Sequence, residues 1–222
     1  MTSIDQTATR RQAALPFGHT PLPDLEFALA HETAAHFKPQ ELRRQLSAML
    51  LLARGAGASA ADLRYVSGSD ISTVPHSGTW VEIRRPGHER RVPVLAKFSD
   101  ELRQLARQAR SRALLGERDQ PLPLPASAPS HLIEHLVARL CQHRPGSLIT
   151  IERLRRAWLV EHLNGALPLR EFLTVTGERS MQALHELADF CSPPDMDAVR
   201  SSRFMGAVSD AEVFDLSAWG LD

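Results

Sequence analysis

Apolar positions recur at helical spacing along residues 39–54, PQELRRQLSAMLLLAR, and Pro39 suits a helix start. GAGAS then breaks the helix, and AADLRYV predicts a short second one. The period changes to two over TWVEIRR and RRVPVL, which flank PGHE. Trp80, Val81, Ile83, Val92 and Val94 around a Pro-Gly turn predict a β-hairpin over 79–95. Helical spacing returns in FSDELRQLARQARSRALL, with Ser99 as its cap, and again in SHLIEHLVARLCQH, which Arg144-Pro145-Gly146 ends. A Pro-rich connector, QPLPLPASAPS, separates those two. A helix pair follows in IERLRRAWLVEHLNGALPLREFL, turning at Asn164–Gly165 and resuming after Pro168. ERSMQALHELADF predicts a last helix, stopped by Pro193-Pro194. The fold class expected is mainly α with a small β-hairpin or sheet. Residues 1–38 are expected to form a flexible N-terminal arm, 39–192 the folded domain and 193–222 a C-terminal tail.

Composition narrows the function classes. With 222 residues, a sizeable core is possible. Twenty-six basic and 26 acidic residues give a formal net charge of +0, against the basic excess usual in strong nucleic-acid binders. The charge is unevenly spread: arginines crowd 84–91, 103–118 and 153–156, and acidic residues crowd the C-terminal part. No apolar run approaches a membrane span, and the first residues lack the apolar stretch of a signal peptide. Cys141 and Cys191 form no disulfide framework and no metal pattern. A cytoplasmic protein with no membrane partner is expected.

The candidate chemistry is thin. Ten histidines include His131 and His135 four apart and His143 close by, but no HExxH and no Cys/His cluster accompany them. No phosphate-binding glycine loop and no GxSxG elbow is present. No metal and no cofactor is expected. Arginine clusters such as ERLRR are more often solvated helix faces than binding sites. Leu154, Trp158, Leu159 and Leu163 form an apolar stripe that a packed helix explains, and Arg155 is left over.

The order of these elements resembles the catalytic domain of the tyrosine recombinase (phage integrase) family over about residues 39–190. The family pattern T-G-L-R-I-S-E-L followed by W-S-D-I is similar to Ala56-Gly57-Ala58-Ser59-Ala60-Ala61-Asp62-Leu63, then Gly68-Ser69-Asp70-Ile71. Its R-x-V-P-L hairpin end resembles RVPV. Its H-x-L-R-H-T pattern resembles Glu152-Arg153-Leu154-Arg155-Arg156-Ala157, continuing without a gap through Leu163, Gly165, Leu169 and Leu173 to Thr176-Gly177-Glu178. The resemblance puts the first catalytic arginine at Ser59 and the hairpin lysine at Arg85 or Arg84. It puts the first histidine at Glu152, the second arginine at Arg155, the second histidine or tryptophan at Glu178 and the nucleophilic tyrosine at Leu187. Only Arg155 is retained. The sole tyrosine, Tyr65, lies beside the first motif.

The family chemistry attacks a phosphodiester with a tyrosine hydroxyl and stabilises the developing charge with arginines. Leu187 has no nucleophilic atom, and Ser59 cannot supply a charged two-pronged fork. The resemblance therefore implies a DNA-binding, DNA recombination- or integration-associated protein without strand cleavage of its own, a pseudoenzyme. Duplex DNA is the expected partner, through Arg84, Arg85, Arg90, Arg91, Arg153, Arg155 and Arg156. The alternative is a protein-interaction module that keeps the fold and no longer binds DNA. Its partner would be another protein, or a second copy engaged through the C-terminal tail.

Overall fold

The computed structural model describes residues 20–109, 114–115, 128–144, 146–165, 168–178 and 181–192. The chain divides after Cys191 into two units, and the described helices and strands all belong to the first, Met1–Cys191. The segment 1–19 and the tail 193–222 lie outside the described residues.

Seven helices and three strands are described: α1 (Asp24–Ala35), α2 (Gln40–Gly55), β1 (Ile71–Val74), β2 (Gly78–Ile83), β3 (Arg90–Pro93), α3 (Ser99–Ala109), α4 (Ala128–His143), α5 (Ile151–Asn164), α6 (Leu169–Thr176) and α7 (Met181–Ala188). The mainly helical architecture with a small antiparallel sheet is the one that the sequence pattern predicts.

The core is built on α2 and α5, which pack against each other. From Ala48 to Gly55 every residue of α2 is buried, so this stretch is surrounded on all sides. The first half of α5 is similar, with Leu154, Trp158 and Leu159 in the core and Leu163 packed at its edge. The three arginines of ERLRR are buried too: Arg153, Arg155 and Arg156 are 5%, 9% and 7% exposed. The expectation of a solvated arginine face is thus corrected. The interior accepts these charges because each guanidinium meets a carbonyl or a carboxylate.

The sheet is wholly antiparallel in the order β1-β2-β3. Val81 pairs with Val92 and Ile83 with Arg90, and the turn between them carries Pro86-Gly87, as the hairpin pattern predicts. β1, paired to β2 through Ile71 and Val81, was not expected. Its four residues ISTV are only partly buried and show no apolar alternation. α3 packs on the sheet and α2, and α6 packs on β3. Ser99 is the first helical residue of α3 and follows a 3-10 turn at Ala96–Phe98. The last residues of the Pro-rich connector form the first turn of α4.

The segment 24–35 departs from the expected arm. It is a helix, α1, that buries Phe27, Ala30 and Ala34 against α2. Its anchor is an ion network: Arg54, 3% exposed, donates to Asp24 at 2.7 Å and Glu161 at 2.8 Å, and Lys97 lies 3.1 Å from Glu161. Ahead of α1 the chain is pinned to α5, since the Leu22 N–H donates to the Arg153 carbonyl and Arg153 Nε donates to the Thr20 carbonyl. Small alanines, rather than a strongly apolar face, make this docking possible, which is why the sequence pattern does not announce it. Cys141 and Cys191 are half-buried free thiols.

Candidate functional site

Ser59, three residues ahead of the 3-10 turn Asp62–Tyr65, bonds reciprocally with that turn's first residue. The Ser59 N–H donates to Asp62 Oδ2 at 2.9 Å, and the Asp62 N–H donates to Ser59 Oγ at 3.3 Å. Asp62 is 1% exposed and carries two further partners. Arg90 of β3 grips both of its oxygens, at 2.6 and 3.4 Å, and Arg85 lies 3.7 Å away. Burial alone would raise the Asp62 pKa, but the bonds from Arg90 and Ser59 outweigh it, and the carboxyl is held below the usual carboxylate value.

Arg155 closes the cluster from α5. Its guanidinium donates to the Gly57 carbonyl, two residues before Ser59, and to the Thr176 carbonyl at 2.9 Å. Burial and then repulsion from Arg90 lower its pKa, against the pull of Asp62, Glu152 and Glu178. Two glycines allow this convergence. Gly57, at φ +59, lies so close to Trp158 that a Cβ there would stand 2.2 Å from the ring. Gly177, at φ +66, ends α6 and leaves room for Arg90, whose Cδ would be 3.3 Å from a Cβ.

Of the six positions that the resemblance singles out, Ser59, Arg85 and Arg155 are thus linked through Asp62, Arg90 and the Gly57 carbonyl. Glu178 adjoins them, with its N–H on Thr176 Oγ1 at 3.1 Å. Glu152 is exposed and pairs with Arg156 at 3.2 Å. Leu187 is 1% exposed within the core, on a helix that Arg156 ties to α5 through Glu186 at 2.9 Å. Tyr65 is half-buried, with Arg64 over its ring at 5.6 Å.

The arginines expected to face DNA divide into two groups. Arg153 is turned inward onto the Thr20 and Leu148 carbonyls and Glu26. Arg155 is held inside by its two carbonyls and Arg156 by Glu152 and Glu186, so these three do not form an exposed cationic face. Just past the end of β2, Arg84 is 60% exposed and pairs with Asp70 at 2.9 Å and Glu82 at 3.0 Å. Arg91 lies in the open, 5.0 Å over the Trp80 ring, and no carboxylate pairs with it among the described residues.

Two residues of the cluster were not anticipated, namely Asp62 as its hub and Arg90 as its closest cation. The signal for Arg90 was present: positions 90, 92 and 94 share one face of a strand, and Val92 and Val94 are core residues. Among the described residues no group of three or more His, Cys, Asp or Glu side chains could hold a metal, and no helix is long and apolar enough to cross a membrane.

Solved structures share this architecture. The chain is similar to XerA recombinase at TM-score 0.54 and 15% identity, over 84% of this chain and 65% of that one. It is similar to the Tn1549 transposon integrase in complex with circular intermediate DNA at TM-score 0.52 and 13% identity, over 85% and 65%. It is similar to a lambda integrase tetramer bound to a Holliday junction at TM-score 0.53 and 17% identity, over 79% and 50%. The fold is that of the tyrosine-recombinase catalytic domain. The chain spans between half and just under two thirds of the length of these integrase-fold structures. No family model matches the sequence, and no curated protein matches it.

Proposed function

We propose that this protein is a recombinase-fold DNA-binding protein, associated with recombination or integration, that does not cleave strands itself. The observation that carries the second half is Leu187. At the position aligned with the nucleophilic tyrosine stands a hydrocarbon side chain that is 1% exposed in the core. The other requirements also fail. Ser59 presents a hydroxyl where a charged fork is needed, and the Arg155 fork is bound to two backbone carbonyls. DNA contact is assigned to the exposed sheet, where Arg91, Arg84 and the Trp80 ring provide phosphate donors and an aromatic edge.

The second reading, an interaction module without DNA, is favoured by the internal pairing of most site arginines and by the +0 net charge. Nicked suicide DNA substrates, resolved on denaturing gels, test the absence of cleavage. No covalent protein–DNA band is expected. A band that survives denaturation and disappears in Tyr65→Phe would overturn the assignment, since Tyr65 is the only tyrosine.

A further inference from the structure

Ile133, Leu136 and Leu140 turn one side of α4 to the core. His131, Glu134 and His135 lie on its outer side and are all exposed, His131 at 83%. His131 and His135 are four residues apart, so their side chains stand one above the other on neighbouring turns, with Cβ atoms about 5–6 Å apart. Two imidazoles at this helical spacing can both reach one metal ion, at about 2.0–2.1 Å from each nitrogen. The neighbours of each ring decide which nitrogen is available. His131 Nδ1 faces Glu134 Oε2 at 3.9 Å, so the carboxylate favours the ring proton on Nδ1 and leaves the lone pair on Nε2. Arg139 Nε donates to His135 Nε2 at 3.4 Å. A guanidinium only donates, so His135 Nε2 is the nitrogen that holds a lone pair. Both rings therefore offer the same nitrogen, on the same face of the helix. His143, the third histidine of α4, is committed elsewhere: its ring packs on Phe37 at 4.7 Å, and its Nδ1 donates to the Arg139 carbonyl at 3.0 Å.

We propose that His131 and His135 form a two-imidazole site for a late first-row divalent cation (zinc, nickel or copper(II)), each ring coordinating through Nε2. Water completes the shell, since among the described residues no group of three or more His, Cys, Asp or Glu could hold a metal. Imidazole nitrogens suit these cations, whereas magnesium prefers oxygen donors. Glu134 does not ligate. It holds His131 in the tautomer that frees Nε2, as an outer partner commonly does at a metal-bound histidine. Arg139 opposes the site, because it occupies His135 Nε2 in the metal-free chain and sets a positive charge beside the cation. It is exposed, so the metal can displace it. The open helix face imposes no coordination geometry, and affinity follows the intrinsic order, with copper(II) above both nickel and zinc. A bound ion ties two turns of α4 together. It binds best when those turns are helical, so it stabilises the folded chain. The site is independent of the DNA assignment and lies on a different element from the sheet.

The test titrates zinc chloride into the full chain, stripped of metal, as wild-type protein, His131→Asn, His135→Asn and Arg139→Gln. Imidazole proton resonances and the thermal midpoint are followed. Wild-type protein should show one saturable change centred on the rings of His131 and His135, with a rise in midpoint. Either histidine variant should weaken binding at least about tenfold, because a chelate becomes a single imidazole. Arg139→Gln should bind on the order of threefold more tightly than wild type, since a nearby positive charge and a competing donor are gone. All three substitutions lie on the exposed face of α4, so the fold is kept and each variant reads the site itself. Copper(II) should saturate the same two rings at lower concentration than zinc, and magnesium should leave them unchanged. An equal response to magnesium overturns the proposal, because it would report charge screening at Glu134 rather than coordination. So does the absence of any saturable change at these rings up to millimolar zinc. Zinc binding that survives in both histidine variants places the metal elsewhere and also overturns it, and a loss of binding in Arg139→Gln contradicts coordination through His135 Nε2.

Discussion

Gly57→Ala is the sharpest probe of how the site is assembled. Two costs add at this position. The backbone stands at φ +59, where an alanine costs about 1 kcal/mol more than glycine. The added Cβ would also lie 2.2, 2.5 and 2.6 Å from three ring carbons of Trp158. That ring is fully buried and edge-packed on His162 at 4.4 Å, so it has little room to retreat. Forced overpacking of this kind costs about 1–3 kcal/mol. The expected total is roughly 3 kcal/mol, because the shift also strains the bond from Arg155 to the Gly57 carbonyl. Gly87→Ala is the control. Its φ is +73, but nothing lies within 4 Å of its Cβ, so only the backbone cost of about 1 kcal/mol applies. Urea unfolding of both variants, compared through midpoints at unchanged slope, isolates the overlap term. Equal losses in the two variants would show that Trp158 does not close on Gly57. The approach of α5 that brings Arg155 to the first motif would then be refuted.

Arg155→Met should lower stability by about 1–3 kcal/mol, since two charge-assisted bonds are lost and two carbonyls are left bare, with partial relief from ending the repulsion by Arg90. Arg155→Lys should not restore the loss, because one ammonium cannot span the Gly57 and Thr176 carbonyls as a planar fork does; equal stability of Lys and Arg would contradict this geometry. Burial holds the His162 pKa below the imidazole value, with Glu161 opposing and Arg54 assisting. The unfolded chain therefore binds the proton more readily, so this contribution is fully present above the unfolded value of 6.5 and is lost as pH falls below it. His162→Phe should flatten stability against pH in that window, and an unchanged slope would place the titration elsewhere. Leu187→Tyr should remain unable to form a covalent adduct on nicked DNA, because Ser59 and the Asp62-bound arginines are unchanged; adduct formation by this single variant would show that the phosphate site is intact.

Much of the fold was legible because apolar periodicity reports burial directly. The α2 and α5 cores, the β2–β3 hairpin and the α6–α7 end follow from it. α1 was not legible, because three buried positions, two of them alanine, leave almost no amphipathic signal, and its anchors Arg54 and Glu161 lie far along the chain. β1 was not legible because four half-exposed residues acquire strand geometry only from β2. In the site, the family resemblance of the first motif brought Ser59 into view but not Asp62, and Arg155 stood out as the one residue that packing did not explain. The arginines of 153–156 read as surface charge, since sequence shows a charge but not the carbonyls and carboxylates that receive it. The alternation 90, 92, 94 held the clue to Arg90, outweighed by the proximity of Arg84 and Arg85 to the turn.

Fluorescence anisotropy of a labelled duplex over a series of salt concentrations, with wild-type protein and an Arg84→Gln/Arg91→Gln variant, tests DNA binding most directly. Wild-type affinity should fall linearly with salt on logarithmic axes, and the variant should bind more weakly with a slope reduced by about 0.9 per phosphate contact removed. No duplex binding by the wild-type protein even at low salt would contradict the assignment and leave the interaction module in its place.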